Sequence, residues 1–249
     1  MEIDGWNERY RSRERAAEDL DAAPTPLVLT MASTLVPGKA LDLACGAGRN
    51  ALWLAERGWK VTAVDGAPAA IEILQTRAAE RSLKIKSFVA DLEKGGFKIE
   101  PNRWDLITIC YYLQRNLFEL AKRGVVPGGV LISIVHIAEP GEEETPHRLR
   151  RGQLIKYFDG WEILHYREGK SSDAAHHRAV AEIVARKTLQ SKFKRKRAET
   201  IARDRNLSES AQYFPLVLCA TCSAYRQSLF RQLACWLCRP GQASGIQVW

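Results

Sequence analysis

A doubly wound α/β sheet is the fold this chain predicts, and three observations predict it. Short apolar runs alternate with stretches of helical periodicity from Gly38 to Arg123, the pattern of βαβ units laid into a parallel sheet. The run Ala40–Ala44 breaks into Gly46-Ala47-Gly48 directly before a helix-like segment, as a strand does when it turns tightly into a helix. Pro127-Gly128-Gly129 then turns the chain into Val130–Ile137, its most β-branched stretch. With 249 residues, 46% of them hydrophobic and 27% charged, the chain has enough material for one domain with a sizeable core and something left over.

The elements follow in order. Trp6–Leu20 and Pro26–Leu35 read as two helices ahead of the sheet. Ala40–Ala44 is the first strand, and Asn50–Arg57 is the helix after the glycine turn, with apolar Ala51, Leu52, Leu54 and Ala55. Lys60–Val64 is a second strand ending at Asp65, and Ala69–Arg81 carries Ile71, Leu74 and Ala78 at helical spacing. Ile85–Ala90 ends at Asp91 as a third strand. Trp104–Cys110 is a fourth and leads into a helix from about Asn116 to Arg123, before Val130–Ile137 as the fifth. The rhythm then stops, because Glu139–Arg151 is polar, while Trp161–Tyr166 and Arg178–Ala185 read as a hairpin closing the sheet edge.

The net charge of +8 invites a nucleic-acid reading until its distribution is counted. Residues 1–189 hold 27 Lys+Arg against 26 Asp+Glu, net +1, and residues 190–249 hold 10 against 3, net +7. The excess therefore belongs to a tail that also carries Cys219, Cys222, Cys235 and Cys238. Two Cys-x-x-Cys pairs twelve residues apart resemble zinc-ribbon spacing. Their intervening residues, Ala220-Thr221 and Trp236-Leu237, lack the Gly or Pro that bends a zinc knuckle, and Tyr225, Leu229 and Leu233 fall on one helical stripe between them. The expectation is a loosely ordered basic appendage with no metal, and a chain ending at Lys187 that folds and binds its ligand alone. The charged first twenty residues contain no apolar run of signal-peptide length, and nothing later approaches a membrane span. A cytoplasmic location is the expectation.

ALDLACGAGRN carries the chemistry. Gly46, Gly48 and Ala51 fit G-x-G-x-x-A, which lets backbone approach a ligand at a helix start. A dinucleotide or S-adenosylmethionine would suit such a turn, and Asp42 separates them. A carboxylate inside the strand repels a pyrophosphate and attracts a sulfonium or ammonium. Asp65 is placed to accept from ribose hydroxyls and Asp91 to read an adenine amino group. In an open α/β sheet, ligands bind at the rim outside the carboxyl ends of the strands, and all three acids fall there.

The segments ALDLACGAGRNALWLAERGWKVTAVD, FVADLE, WDLITICYYLQRNLF and PGGVLI resemble the successive motifs of class I S-adenosylmethionine-dependent methyltransferases. An opening WNERY and a closing HRAVAEIVARK are similar to the small bacterial enzymes grouped with the tellurite-resistance and thiopurine methyltransferases. That resemblance implies a Rossmann-like sheet of seven strands with an antiparallel last strand. It implies Asp42, Ala44, Gly46 and Gly48 at the methionine end of the cofactor, Asp65 at the ribose with Gly66 beside it, and Asp91 and Leu92 at the adenine. Cys110 and Tyr111 follow the fourth strand beside the cofactor. Gly66-Ala67 departs from the family, which often has a polar residue after the acid. Trp6, Arg9 and Tyr10 read either as a lid, with Tyr10 reaching the cofactor, or as an amphipathic packing helix. The domain reading is residues 1–37 as N-terminal helices, 38–188 as the S-adenosylmethionine-binding methyltransferase domain and 189–249 as the tail.

Methyl transfer needs an acceptor placed against the donor, and a base where the acceptor loses a proton. His177 with Arg178 before the last strand, and His136 at the end of the fifth, are the candidates, with a surface His-His-Arg turn as the plain alternative. Tyr111, Tyr112 and Arg115 face the same opening. The expected partner is a small acceptor carrying an oxyanion, thiol, amine or carboxyl. A nucleic-acid-binding protein or nucleic-acid methyltransferase using the basic tail is the other reading. Against it, Cys110-Tyr111-Tyr112-Leu113 stands where an amino-group base methyltransferase is expected to carry Asn/Asp-Pro-Pro-aromatic.

Overall fold

Alternation along β1 (Lys39–Leu43) shows how the sheet is buried on both faces. Ala40 packs with Val61, Ala63, Ile132 and Leu52 on one side, and Leu41 and Leu43 pack with Ile107, Leu131 and Phe118 on the other. Successive side chains in a strand point to opposite faces, so Asp42 falls on the Ala40 face. The computed structural model describes residues 3–12, 23–139, 141–142 and 145–188. The tail, with its basic run and both cysteine pairs, lies outside the described residues, as does the second half of the first predicted helix.

The strands β1, β2 (Lys60–Asp65), β3 (Lys86–Val89), β4 (Trp104–Cys110), β5 (Val125–His136), β6 (Glu162–Lys170) and β7 (Ala179–Arg186) form one sheet. Its order is β3-β2-β1-β4-β5-β7-β6, parallel through β5, with β7 antiparallel to both β5 and β6. Helices α1 (Ile3–Arg11), α2 (Pro26–Ala32), α3 (Arg49–Glu56), α4 (Pro68–Glu80) and α5 (Arg115–Gly124) flank it. Leu27, Val28, Leu52 and Leu74 of α2 to α4 pack on the Ala40 face. Leu117 and Phe118 of α5 cover the other face. Pro68 opens α4 at a position where its missing N–H costs nothing.

Three differences from the sequence reading have local causes. The first helix begins at Ile3, with Asp4 in its first turn and Arg9 and Arg11 in its last, charges that suit the helix dipole. Pro127-Gly128-Gly129 does not separate two elements but forms a bulge within β5, whose register with β4 jumps from Trp104↔Val125 to Leu106↔Val130. Gly128, at φ 83°, donates to the Lys187 carbonyl, and the Lys187 amide donates to Gly129, so the end of the β7 segment pairs with the bulge. A short 3₁₀ helix, Leu154–Phe158, appears where no element was predicted, because Leu154 and Phe158 are both buried in the core under α5.

Lys187 closes the described body. Its ammonium donates to the Lys122 and Val125 carbonyls at 3.0 and 2.7 Å and to Asn102 Oδ1 at 3.0 Å, capping the C-terminus of α5, where a cation is favoured. Lys187→Met is expected to lower stability by about 1–2 kcal/mol, measured as a fall in the urea midpoint with the slope unchanged.

Candidate active site

The rim at the carboxyl ends of β1, β2 and β4 gathers most of the predicted residues. Ala44 and Gly46 turn the chain out of β1 at φ 53° and 55°, and Gly48 enters α3 at φ 84°. A Cβ on Gly48 would lie 2.3 Å from Leu74 Cδ1 and would be strained at this positive φ, so a larger residue here would have to displace Leu74 as well as adopt a left-handed backbone. Asp65 organises this turn with one oxygen for each of two amides, accepting from the Gly46 N–H at 2.8 Å and from the Ala67 N–H at 2.9 Å. Burial raises its pKa, with the Ala67 and Gly46 amides pulling the other way.

Asp42 lies deeper, 1% exposed. Its Oδ1 accepts from the Thr108 hydroxyl at 2.7 Å, while Oδ2 is buried with no hydrogen-bond partner. Burial pushes its carboxyl up to about 6, against the downward pull of Thr108 and Arg49. The Ala51 amide pulls the same way, and Oδ2 remains a buried acceptor that a cationic or hydrogen-donating group would satisfy.

Asp91 sits at the third strand's end but spends one oxygen on its own turn, accepting from the Glu93 and Lys94 amides at 3.0 and 3.2 Å. Its other oxygen meets the Lys94 ammonium at 3.3 Å. Leu92 is buried, and its carbonyl receives Gln114 Nε2 at 3.1 Å. Gln114 in turn accepts from the Tyr112 hydroxyl at 2.9 Å. Tyr112 thus faces the acids, and burial followed by the charges of Glu93, Asp91 and Asp65 raises its pKa. Cys45 and Cys110 are half-buried, and burial raises both thiols far above their ordinary range, which argues against nucleophilic roles.

Helix α1 covers the turn. Asn7 Oδ1 accepts from the Ala69 N–H at 2.9 Å, and a Cβ on Gly66 would lie 2.8 Å from Ile3 Cδ1. Glycine in place of the family's polar residue therefore makes room for α1. Tyr10 is buried among Ala47, Ala67, Ala69 and Ala70, with Trp6 packed alongside. The helix packs on this turn through Tyr10, Asn7 and Ile3, as the packing alternative expects.

The second half of the site lies over β4 and β5. Tyr111, expected beside the cofactor, takes φ 60° and turns its ring to the loop between β6 and β7. There it stacks on His176 with ring centroids 3.3 Å apart and planes 6° from parallel. His136, at the end of β5, lies 5.7 Å from Tyr111 and 5.6 Å from His176. The Tyr111 hydroxyl donates to Asp173 Oδ2 at 3.2 Å and lies 3.3 Å from Ser171 Oγ. Arg49 Nη2 meets the same Asp173 oxygen at 2.6 Å.

His177 and Arg178 do not join this cluster. Both are exposed, and Arg178 reaches Glu142 at 3.7 Å. The cause is local: the His176 N–H bonds the Asp173 carbonyl at 3.0 Å, and that turn aims His176 inward and the next residue out. Sequence reading missed His176. The available signal was Ser171-x-Asp173-x-x-His176, in which Ser171 Oγ and Asp173 Oδ1 accept amides two residues on. Arg115 is likewise drawn aside, to the carbonyls of Thr145 and Pro146. Among the described residues there is no His/Cys/Asp/Glu cluster able to hold a metal, and no helix long and apolar enough to cross a membrane.

A family model described as tellurite resistance protein TehB matches residues 22–182. The chain belongs to the TehB family. A methyltransferase of 2-heptyl-1-hydroxyquinolin-4(1H)-one from Mycobacteroides abscessus is 42% identical over 53% of this chain and 62% of its own length. A probable S-adenosyl-L-methionine-dependent methyltransferase TehB from Haemophilus influenzae is 27% identical over 57% of this chain and 52% of its own. The chain spans about half the length of the curated relatives it matches. The crystal structure of TehB from Haemophilus influenzae shares the fold, with a TM-score of 0.60 at 24% identity over 71% of this chain and 66% of that one.

Proposed function

We propose that this chain binds S-adenosylmethionine at the glycine turn and transfers its methyl group to a small-molecule acceptor held against Tyr111, His136 and His176. The observation that carries this reading is the buried, unpartnered Asp42 Oδ2 beneath a glycine turn that Asp65 anchors. These residues fit a ligand with a cationic methionine end and a ribose. When bound, that cofactor supplies an activated methyl on a sulfonium. The chain's own residues then have to bind, orient and take up a proton. Asp42 faces the positive end, Asp65 has lone pairs left for the ribose hydroxyls, and Tyr112 borders the acids on the adenosine side. His176, on the acceptor side, is placed to take the proton of an acidic O–H or S–H, with the Tyr111 ring fixing its plane. The name of the Mycobacteroides relative, methyltransferase of a hydroxylated planar ring system, supports an acceptor of that size.

Turnover of S-adenosylmethionine against tellurite, 2-heptyl-1-hydroxyquinolin-4(1H)-one, simple thiols, amines and carboxylates, and bulk RNA tests the reading at two salt concentrations. Methylation of a small acceptor with little salt dependence is expected. Methylation of RNA alone, falling steeply with salt, would replace it with the nucleic-acid reading.

A pH dependence follows from Asp42. Its folded-state pKa of about 6 lies above the ordinary carboxyl value, so its contribution to ligand-free stability is complete below about pH 4. That contribution is lost as pH rises through about 6, amounting to roughly 3 kcal/mol. A cationic ligand has the opposite preference and favours the ionised acid. Affinity for S-adenosylmethionine is expected to rise from about pH 5 to about pH 7, and Asp42→Asn to remove most of that slope while stabilising the ligand-free chain at alkaline pH. Calorimetry and thermal melts across this range check both signs.

A further inference from the structure

Arg49 sits where a cation is least expected. It is the first residue of α3, directly after Gly48, at the helix end whose dipole favours negative charge. Its side chain is only 10% exposed, and so is nearly out of water. A buried guanidinium at a helix N-terminus needs compensation, and two carboxylates supply it from opposite halves of the site. Asp173, 8% exposed and 124 residues away in the chain, holds Arg49 at 2.6 Å. Asp42, on the other side, lies close enough to feel its charge. The guanidinium carbon also lies 5.6 Å from the Tyr111 ring centre.

The consequences converge on one loop. Asp173 shares a single oxygen between Arg49 and the Tyr111 hydroxyl, accepts from the Ala175 amide with the other, and accepts from the His176 amide with its backbone carbonyl. Buried ion pairs contribute little net stability compared with apolar packing, whereas removing one partner is strongly disruptive. Such a pair between distant segments mainly specifies how they sit together.

Resting on the acceptor site proposed above, we infer that Arg49 is a positioning residue: through Asp173 it clamps the 171–177 loop to the glycine turn and so sets the Tyr111–His176 stack against the cofactor methyl. It serves acceptor alignment, although it is part of the cofactor-binding motif by sequence. A displacement of about 1 Å in such an alignment costs up to about a hundredfold in rate.

The test uses the full chain as wild type, Arg49→Met, Arg49→Lys, Asp173→Asn and the Arg49→Met/Asp173→Asn double variant. Readouts are S-adenosylmethionine affinity by calorimetry, hydrogen exchange of the His176 amide, and kcat and KM with 2-heptyl-1-hydroxyquinolin-4(1H)-one. Arg49→Met and Asp173→Asn are each expected to speed His176 amide exchange about tenfold or more and to leave cofactor affinity within about threefold. They should lower kcat by about 10- to 100-fold with KM little changed. The double variant should be no worse than either single, because neither Arg49 nor Asp173 is left without the other, and Arg49→Lys should recover part of kcat. Cofactor affinity falling more than tenfold in Arg49→Met but not in Asp173→Asn would overturn the inference and return Arg49 to the cofactor site. Unchanged exchange in both single variants would overturn it as well. Should the wild type methylate no acceptor, the acceptor reading is what has failed, and the exchange data alone decide whether Arg49 orders the loop.

Discussion

Asp65→Ala is expected to weaken S-adenosylmethionine binding by at least about 30-fold. Hydrogen bonds to an ionised acceptor contribute about 1.5–3 kcal/mol each, and about 1.4 kcal/mol is a factor of ten, so losing a pair to the ribose exceeds that figure even at the lower end of the range. The structure adds a second cause. The same carboxylate holds the Gly46 and Ala67 amides, so its removal also loosens the turn proposed above to receive the methionine end. Asparagine is not a conservative replacement, because its amide nitrogen would point a donor at one of two N–H groups. Asp65→Asn should therefore lose much of the same affinity. Calorimetry checks both variants, with NAD titrated as the competing ligand. Unaltered binding in Asp65→Ala, or tighter binding of NAD than of S-adenosylmethionine, would remove the cofactor assignment.

The second large effect is expected at His176. His176→Phe keeps an aromatic partner for Tyr111 and removes the proton acceptor, so turnover with an acceptor that must be deprotonated should fall by about 10²–10⁴-fold while cofactor affinity persists. His176→Ala should do the same and also loosen the loop, since the ring pair stacked at 3.3 Å is lost. His177→Ala, one residue on and exposed, should change turnover less than about twofold. Stopped-assay kinetics on the three variants separate the roles, and a loss confined to His177→Ala would show that the inward histidine is only packing.

Much of the architecture was legible because it depends on neighbours in the chain. Ala40–Ala44, Lys60–Val64 and Trp104–Cys110 announce strands by their apolar runs, and Gly46 and Gly48 announce a turn that requires positive φ. Asp42 and Asp65 were legible for a related reason, since a carboxylate at a fixed distance from a glycine turn on a parallel strand has one place to go. The seventh strand's direction came only with the family resemblance.

What the residues alone determined, then, is the run of parallel strands, the glycine turn and the placing of Asp65 at its rim with Asp42 beneath it, all set by backbone preference and the period of two. Tertiary structure decided the rest, because those features depend on contacts between segments far apart in the chain. Asp91 has the same strand-end position as Asp65, yet the turn after it leaves the Glu93 and Lys94 amides as its partners. Tyr111 and Tyr112 are adjacent in sequence, and a single residue at φ 60° sends them to opposite halves of the site. His176 and His177 are chemically identical, and only the turn on Asp173, held by Arg49 from across the sheet, makes the first the inward one.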